Sequence, residues 1–461
     1  SSSEAGSKNL VSFWPMQSPV FVPDAQTALA HPNDKPRYVH SLVGINAVPD
    51  ASLSPTVAYF YPELAVVASG CVLNTLKVQG YKAGSVSPES VAAVRDALFL
   101  THPSAITCLA VNAKKLKVAT AWGNRNSQIK LSSLRPNSES QLLRTKELEP
   151  VHERAICLMA FSDDGSVLVS VGGDTTHTIA VWDTSSGSLL AMNRGSGDAI
   201  RSIVFEPGNN HSFLTASPKC LRRWTLQKQA TLGLLNAQTL LSGSKFQPPA
   251  TFRQAIYGPE QSIWCGTESG DIVVAKNGKI ATLLEKAHGG PICKLAACEQ
   301  GVLSGGVKGE VRLWSMQGTM VKEWNFPSAA LILSLQYCSE ESGESWKNGS
   351  LLVATGEKRV WEIVADTEDQ QQLVLQAHVG DIWGVDVDVA QQQFITGGDD
   401  GWVCVWDVRS PYVPLSSRQM GCPVRAVALH PSAPTVAVGL ENGKIDIIDY
   451  VTLTTVQSIK A

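Results

Sequence analysis

The 461 residues are 44% hydrophobic and 17% charged, and 38 basic side chains stand against 41 acidic ones for a net charge of −3. That balance excludes whole-surface attraction to nucleic acid or to an anionic membrane and leaves room only for a local basic patch. With 37 Gly and 24 Pro the chain suits many short strands joined by tight turns, and no apolar run approaches the ~18 residues of a membrane span.

The ten cysteines form no C-x-x-C pair. Cys108 in ITCLAV, Cys157 in AICLMAF and Cys404 in WVCVW sit in apolar, strand-like runs and read as small core residues. Without disulfide or zinc spacing, a reducing compartment is favoured.

In chain order, residues 1–36 read as a Ser/Pro-rich approach segment, and 37–100 as a degenerate hydrophobic unit. Within the latter, AYFYPELAVVASGCVLNTLKVQGY (Ala58 to Tyr81) reads as two or three strands with a turn at Pro62-Glu63. From 101 to 461 one pattern recurs: an apolar strand, a turn, a strand ending in small residues, a Gly/Asp turn, then a strand ending in Trp. In its three clearest copies His378, His152 and His288 precede Trp406, Trp182 and Trp314 by 26 to 30 residues. Third-strand ends at Leu131, Trp182, Trp224, Val274, Trp314, Trp361, Trp406 and Ile448 are 40 to 51 residues apart, the spacing of a four-stranded propeller blade. The fold class is therefore all-β, a β-propeller with one main ring of seven or eight blades. Counting Ala58–Tyr81 gives nine units, too many for one ordinary ring, so either the terminal units share a blade or the last repeats begin a second propeller.

The best copies resemble WD repeats in a polar set as well: His378, Thr396, Asp400 and Trp406 in one, His152, Ser170, Asp174 and Trp182 in another. The resemblance implies a hydrogen-bonded chain inside each blade, which a buried His, hydroxyl, carboxylate and indole can satisfy only as a set. A catalytic triad is the rival reading, but active sites do not recur once per blade. The His288 copy has Lys308 where the acid would fall, so its network is expected to be incomplete.

The wording of HPSAITCLAVNAKKLKVATAWGNRNSQIKL, of FSDDGSVLVSVGGDTTHTIAVWDTSSGSLLAMNRGSGDAIRSIVFEP and of AHVGDIWGVDV resembles the echinoderm microtubule-associated protein-like (EML) family over residues 38–461. That resemblance implies a cytoplasmic, cytoskeletal scaffold at microtubules, cilium or spindle, with oligomerisation through regions outside this chain.

No phosphate loop, dinucleotide loop, H-E-x-x-H or G-x-S-x-G motif occurs, so neither catalytic residues, cofactor nor metal are expected. Asp386 and Asp388, two apart on one strand face, read as solvated, and Asp399-Asp400-Gly401 as a tight turn. One charge feature stands out: Lys114, Lys115, Lys117, Arg125, Lys130, Arg135, Arg144 and Lys146 face a single acid, Glu139. A solvated loop is one reading. The other is a surface for an acidic partner, with Lys114, Lys115, Lys117, Arg125 and Lys130 as contact residues and tubulin or the microtubule as the partner that the family resemblance suggests. No aromatic residues interleave as nucleic-acid stacking requires. The runner-up function is an adaptor such as a ubiquitin-ligase substrate receptor or assembly factor, for which Trp406-Asp407-Val408-Arg409 is a weak pointer.

Overall fold

Strands such as Val167–Gly172 and Gly301–Gly306 bury every side chain. A strand covered on both faces needs a sheet on either side, and a stack of sheets supplies that. Outer strands such as Lys279–Leu284 are exposed almost throughout, as befits a rim. The computed structural model describes residues 57–61, 64–69, 72–77 and 100–460, apart from breaks at 135–142, 196, 228–231, 247–248, 277, 299, 328–329, 340–348, 365–370, 380 and 409–412. The approach segment 1–36 lies outside the described residues.

The described residues form nine antiparallel sheets, each with a meander of four strands in sequence order, to which the second adds a short fifth strand, His152–Arg154, paired with Arg125–Leu134. We call them blades 1 to 9, at 57–101, 106–154, 156–193, 202–242, 252–284, 292–325, 332–376, 382–419 and 424–460. The degenerate motif supplies three strands of blade 1, Val57–Tyr61, Leu64–Ser69 and Val72–Lys77, and Leu100–Thr101 completes it.

Two compact units divide the chain. The first holds blades 1 to 7, and it is a closed ring. Each inner strand lies beside the next, and the inner strand of blade 1 lies beside that of blade 7. Val57, Ala65, Val67 and Leu76 of blade 1 share an apolar core with Leu352, Ala354, Val360 and Leu375 of blade 7. Polar side chains on the inner strands tie neighbours together. Ser202 Oγ accepts from Ala255 N at 3.0 Å, Gln254 Oε1 accepts from Leu295 N at 2.6 Å, and Ser334 Oγ donates to Val57 O at 3.2 Å, which closes the ring. Each such bond contributes about 1 kcal/mol. The second unit holds blades 8 and 9. There Asp386 Oδ2 accepts from Leu429 N at 2.7 Å, and Asp388 Oδ1 caps a turn by accepting from Gln391 N. These carboxylates, expected to be solvated, are therefore used internally.

In seven blades the inner strand shifts register after its first residue, a β-bulge at Thr107, Cys157, Arg253, Cys293, Leu333, Trp383 and Arg425. A bulge re-aims one side chain without ending the pairing. Gly401, at φ 72°, closes the Asp399-Asp400-Gly401 turn with a bond to Gly398 O.

Candidate functional site: blade networks and a basic corner

Blade 6 has a polar core of three linked hydrogen bonds. Trp314 Nε1 donates to Ser304 Oγ at 2.7 Å, His288 Nε2 meets that hydroxyl at 2.6 Å, and His288 Nδ1 meets Glu310 Oε1 at 3.1 Å. The expectation of an incomplete network fails here, because Glu310, two residues beyond Lys308, supplies the carboxylate, and its other oxygen accepts from Lys308 N. A carboxylate can only accept, so the ring proton sits on Nδ1, facing Glu310, and Nε2 of the neutral ring accepts from the Ser304 hydroxyl, which in turn accepts from the indole. Ser304 is 0% exposed, so this hydroxyl cannot reach a substrate.

Blade 3 repeats half of this arrangement. Trp182 Nε1 donates to Ser170 Oγ at 2.9 Å, and His152 Nε2 meets the same hydroxyl at 2.8 Å. Asp174 turns away to cap Thr176 and Thr178, leaving His152 Nδ1 buried without a partner. Burial holds His152 down to about 4, against the pull of Asp174. In the second unit Trp406 Nε1 donates to Thr396 Oγ1 at 2.7 Å, and Asp400 Oδ1 accepts from Trp402 N at 3.1 Å. His378, buried, belongs to the ring unit. Blade 4 keeps only the indole–hydroxyl pair, Trp224 to Thr215 at 2.9 Å. In blade 7 the register sets Ile363 opposite Leu351, as Trp182 stands opposite Leu168, so Trp361 lies two residues short of the expected strand end.

The basic stretch is divided by strand geometry. Cross-strand partners share a face, and alternate residues along a strand do too. Lys117 pairs with Ser133 and Ser133 with Arg144, while Ala119 pairs with Leu131 and Leu131 with Lys146. These residues therefore look out from one face of blade 2. Inward, that face is apolar: Ala119, Ala121, Ile129 and Leu131 pack on Ile156, Leu168, Ala180 and Trp182 of blade 3. Towards the rim the apolar residues give way to Lys117, Arg144 and Lys146. The sheets part there around a cavity of about 680 Å³, lined by Lys115, Lys117, Arg144 and Lys146 with Ser133, Thr184 and Ser185 among its polar wall residues, and, among the described residues, by no acid.

Two of its cations also bind the blades together. Lys117 Nζ donates to Gly165 O at 2.8 Å and to Thr184 Oγ1 at 2.9 Å, and Lys146 Nζ donates to Ser185 O and Ser186 O at 3.0 and 2.7 Å. Burial lowers the Lys117 ammonium below its usual range, against the attraction of Asp164 and Asp183. Lys114 and Lys115 are exposed on the short 3-10 turn Ala113–Lys115, which Asn112 fastens to Ser162 O and Asp163 O of blade 3. Arg125 lies at the other end of its strand, opposite Arg154, and Lys130 reaches Glu147 at 4.0 Å, so neither lines the cavity. Arg135 and Glu139 lie outside the described residues. One of the two carboxyls that act on Lys117 is already used: burial pushes Asp183 up, but hydrogen bonds from Ser185 and Ser186 outweigh it and hold the group down at about 2.

Among the described residues no group of three metal-ligating side chains comes together, and no helix is long and apolar enough to cross a membrane.

The family model of the echinoderm microtubule-associated protein first β-propeller matches residues 97–363, and that of the WD domain, G-β repeat, matches 369–407. The chain is 25% identical over 420 residues to mouse echinoderm microtubule-associated protein-like 2, a match covering 89% of this chain and 62% of that protein. It is likewise 25% identical to the rat protein-like 1 over 356 residues and to the human protein-like 3 over 387, covering 76% and 78% of this chain but 42% of each relative. With the first-propeller model spanning most of a closed seven-bladed ring and more than half of the sequence, the chain belongs to the echinoderm microtubule-associated protein family.

Proposed function

We propose that this chain is a non-catalytic WD-repeat scaffold of the cytoplasmic cytoskeleton, associated with microtubules at cilium or spindle, and that the corner between blades 2 and 3 meets an acidic tubulin surface. The observation that carries this reading is the collection of Lys115, Lys117, Arg144 and Lys146 around one cavity with no acid among the described residues that line it, in a chain of net charge −3. Relatives named as microtubule-associated support the partner. The buried His, Ser and Trp sets support the absence of catalysis, since each hydroxyl is held between an indole and an imidazole out of reach of solvent.

Attraction between surface charges is long-ranged and screened, with a Debye length of about 8 Å at physiological ionic strength. Co-sedimentation with microtubules should therefore weaken as salt rises, and weaken further in the Lys114→Glu/Lys115→Glu variant. Lys117 is left intact because its bonds to blade 3 are structural. The same pelleted fraction for wild type and variant at every salt concentration would refute the corner's role.

A further inference from the structure

We infer that the cavity between blades 2 and 3 is a seat for an extended, carboxylate-rich peptide segment rather than for a compact phosphate; this rests on reading that corner as the acidic-partner surface. The spacing of the cations is the first argument. Lys117 and Arg144 stand in one row, separated by the intervening strand that carries Ser133. At ~4.8 Å between strands their backbones are ~10 Å apart, and Arg144 and Lys146, two residues apart, are separated by ~7 Å. An extended chain presents alternate side chains at that same ~7 Å repeat, so successive carboxylates can each find a cation. A phosphate instead needs donors converging on one point.

The second argument is donor supply. The backbone N–H groups that could cradle a phosphate, those of Ser185 and Ser186, already donate to Asp183 Oδ1 at 2.9 and 2.7 Å. The side chains still have capacity. An ammonium carries three donors, and Lys117 and Lys146 each use two on blade 3, leaving one apiece. Arg144 and Lys115 are exposed at the cavity wall. The third argument is access. Leu143–Glu147 is the outermost strand of its blade, so a chain laid along it meets Arg144 and Lys146 without crossing another strand.

The test is fluorescence anisotropy of a labelled oligoglutamate peptide with the whole chain at low salt, for wild type and for Lys115→Glu/Arg144→Glu. Both substitutions are at exposed residues, so thermal unfolding should be unchanged and serves as the folding control. The expected result is saturable binding by wild type, at least about tenfold weaker in the variant, with inorganic phosphate competing only as well as chloride does at equal ionic strength. Absence of oligoglutamate binding, equal binding by both proteins, or specific displacement by phosphate would overturn the inference. Microtubule co-sedimentation in parallel separates the two readings. If it still falls in Lys114→Glu/Lys115→Glu while the peptide fails to bind, only the peptide seat is lost. If charge reversal leaves co-sedimentation untouched, the broader reading fails with it.

Discussion

Between blades 2 and 3, the outer strand Leu143–Glu147 meets a turn closed by Gly187; between blades 5 and 6, the outer strand Lys279–Leu284 meets a turn closed by Gly318. Both glycines have left-handed backbones, at φ 75° and 84°, and each sits against a side chain of the preceding blade, Lys146 and Leu284 respectively. What differs is the chemistry presented. The first corner has Lys115, Lys117, Arg144 and Lys146. The second has Ile280, Leu283, Met316, Met320 and Val321, all more than 40% exposed. The propeller thus repeats a backbone joint while each blade pair writes its own surface on it, so partner choice is a property of side chains at a joint rather than of the repeat.

The largest expected difference between the two regions is in their response to acid. His102, whose ring packs on Trp122 of blade 2, and His152, whose ring bonds Ser170 of blade 3, are both held near 4, His102 by burial and then by Lys130 and His152 by burial. The fold favours the neutral rings, so their contribution is fully present above pH ~6.5 and is lost as pH falls from there towards 4, on the order of 3 kcal/mol per histidine. His288 of blade 6 is also lowered by burial, but the hydrogen bond and charge of Glu310 oppose this, so protonation is less costly there. Hydrogen exchange followed from neutral pH to about 4.5 should show blades 2 and 3 losing protection before blade 6. Simultaneous loss in all three would remove the distinction.

A smaller effect comes from the two glycines. A Cβ at Gly318 would lie 2.8 Å from Leu284 Cδ2, a branched group packed at the joint, whereas at Gly187 it would lie 2.6 Å from Lys146 Cδ, part of a flexible stem. Both alanine variants carry the left-handed strain of ~1 kcal/mol. Gly318→Ala should cost about 2 kcal/mol in all and Gly187→Ala about 1. Denaturant unfolding that ranked them in the opposite order would show that the lysine joint is the stiffer one.

How much of this was legible in the sequence depended on whether the information was local. Strand runs, turn glycines and the 40-to-51-residue spacing are local, and they mark out the repeated four-stranded sheets. The closure is not. It rests on Val57 meeting Ser334, and nothing near either residue announces it. The bulges were equally silent, because the inserted residue is Thr, Cys, Arg, Leu or Trp in different blades. In blade 6 the acid shifted by two residues, from the place taken by Lys308 to Glu310, and a long side chain bridged the offset. The basic stretch was visible as composition. Only the pairing of Lys117 with Ser133 and of Ser133 with Arg144 showed that Arg144 and Lys146 belong to the corner while Arg125 does not.

The smallest effects should separate the cations of that corner from one another. Lys117→Met keeps the aliphatic stem but removes both donors to blade 3, and should lower stability by about 1 kcal/mol. Its loss is limited because Gly165 O also accepts from Thr184 Oγ1 at 2.6 Å and so is not left bare. Arg144→Met and Lys115→Met should stay within about 0.5 kcal/mol of the parent, since both side chains are exposed and screened by solvent. Thermal unfolding of the three single variants measures the contrast. If Arg144→Met destabilised as much as Lys117→Met, Arg144 would be part of the joint between the blades, and the free cations left at the corner would be Lys114 and Lys115 alone.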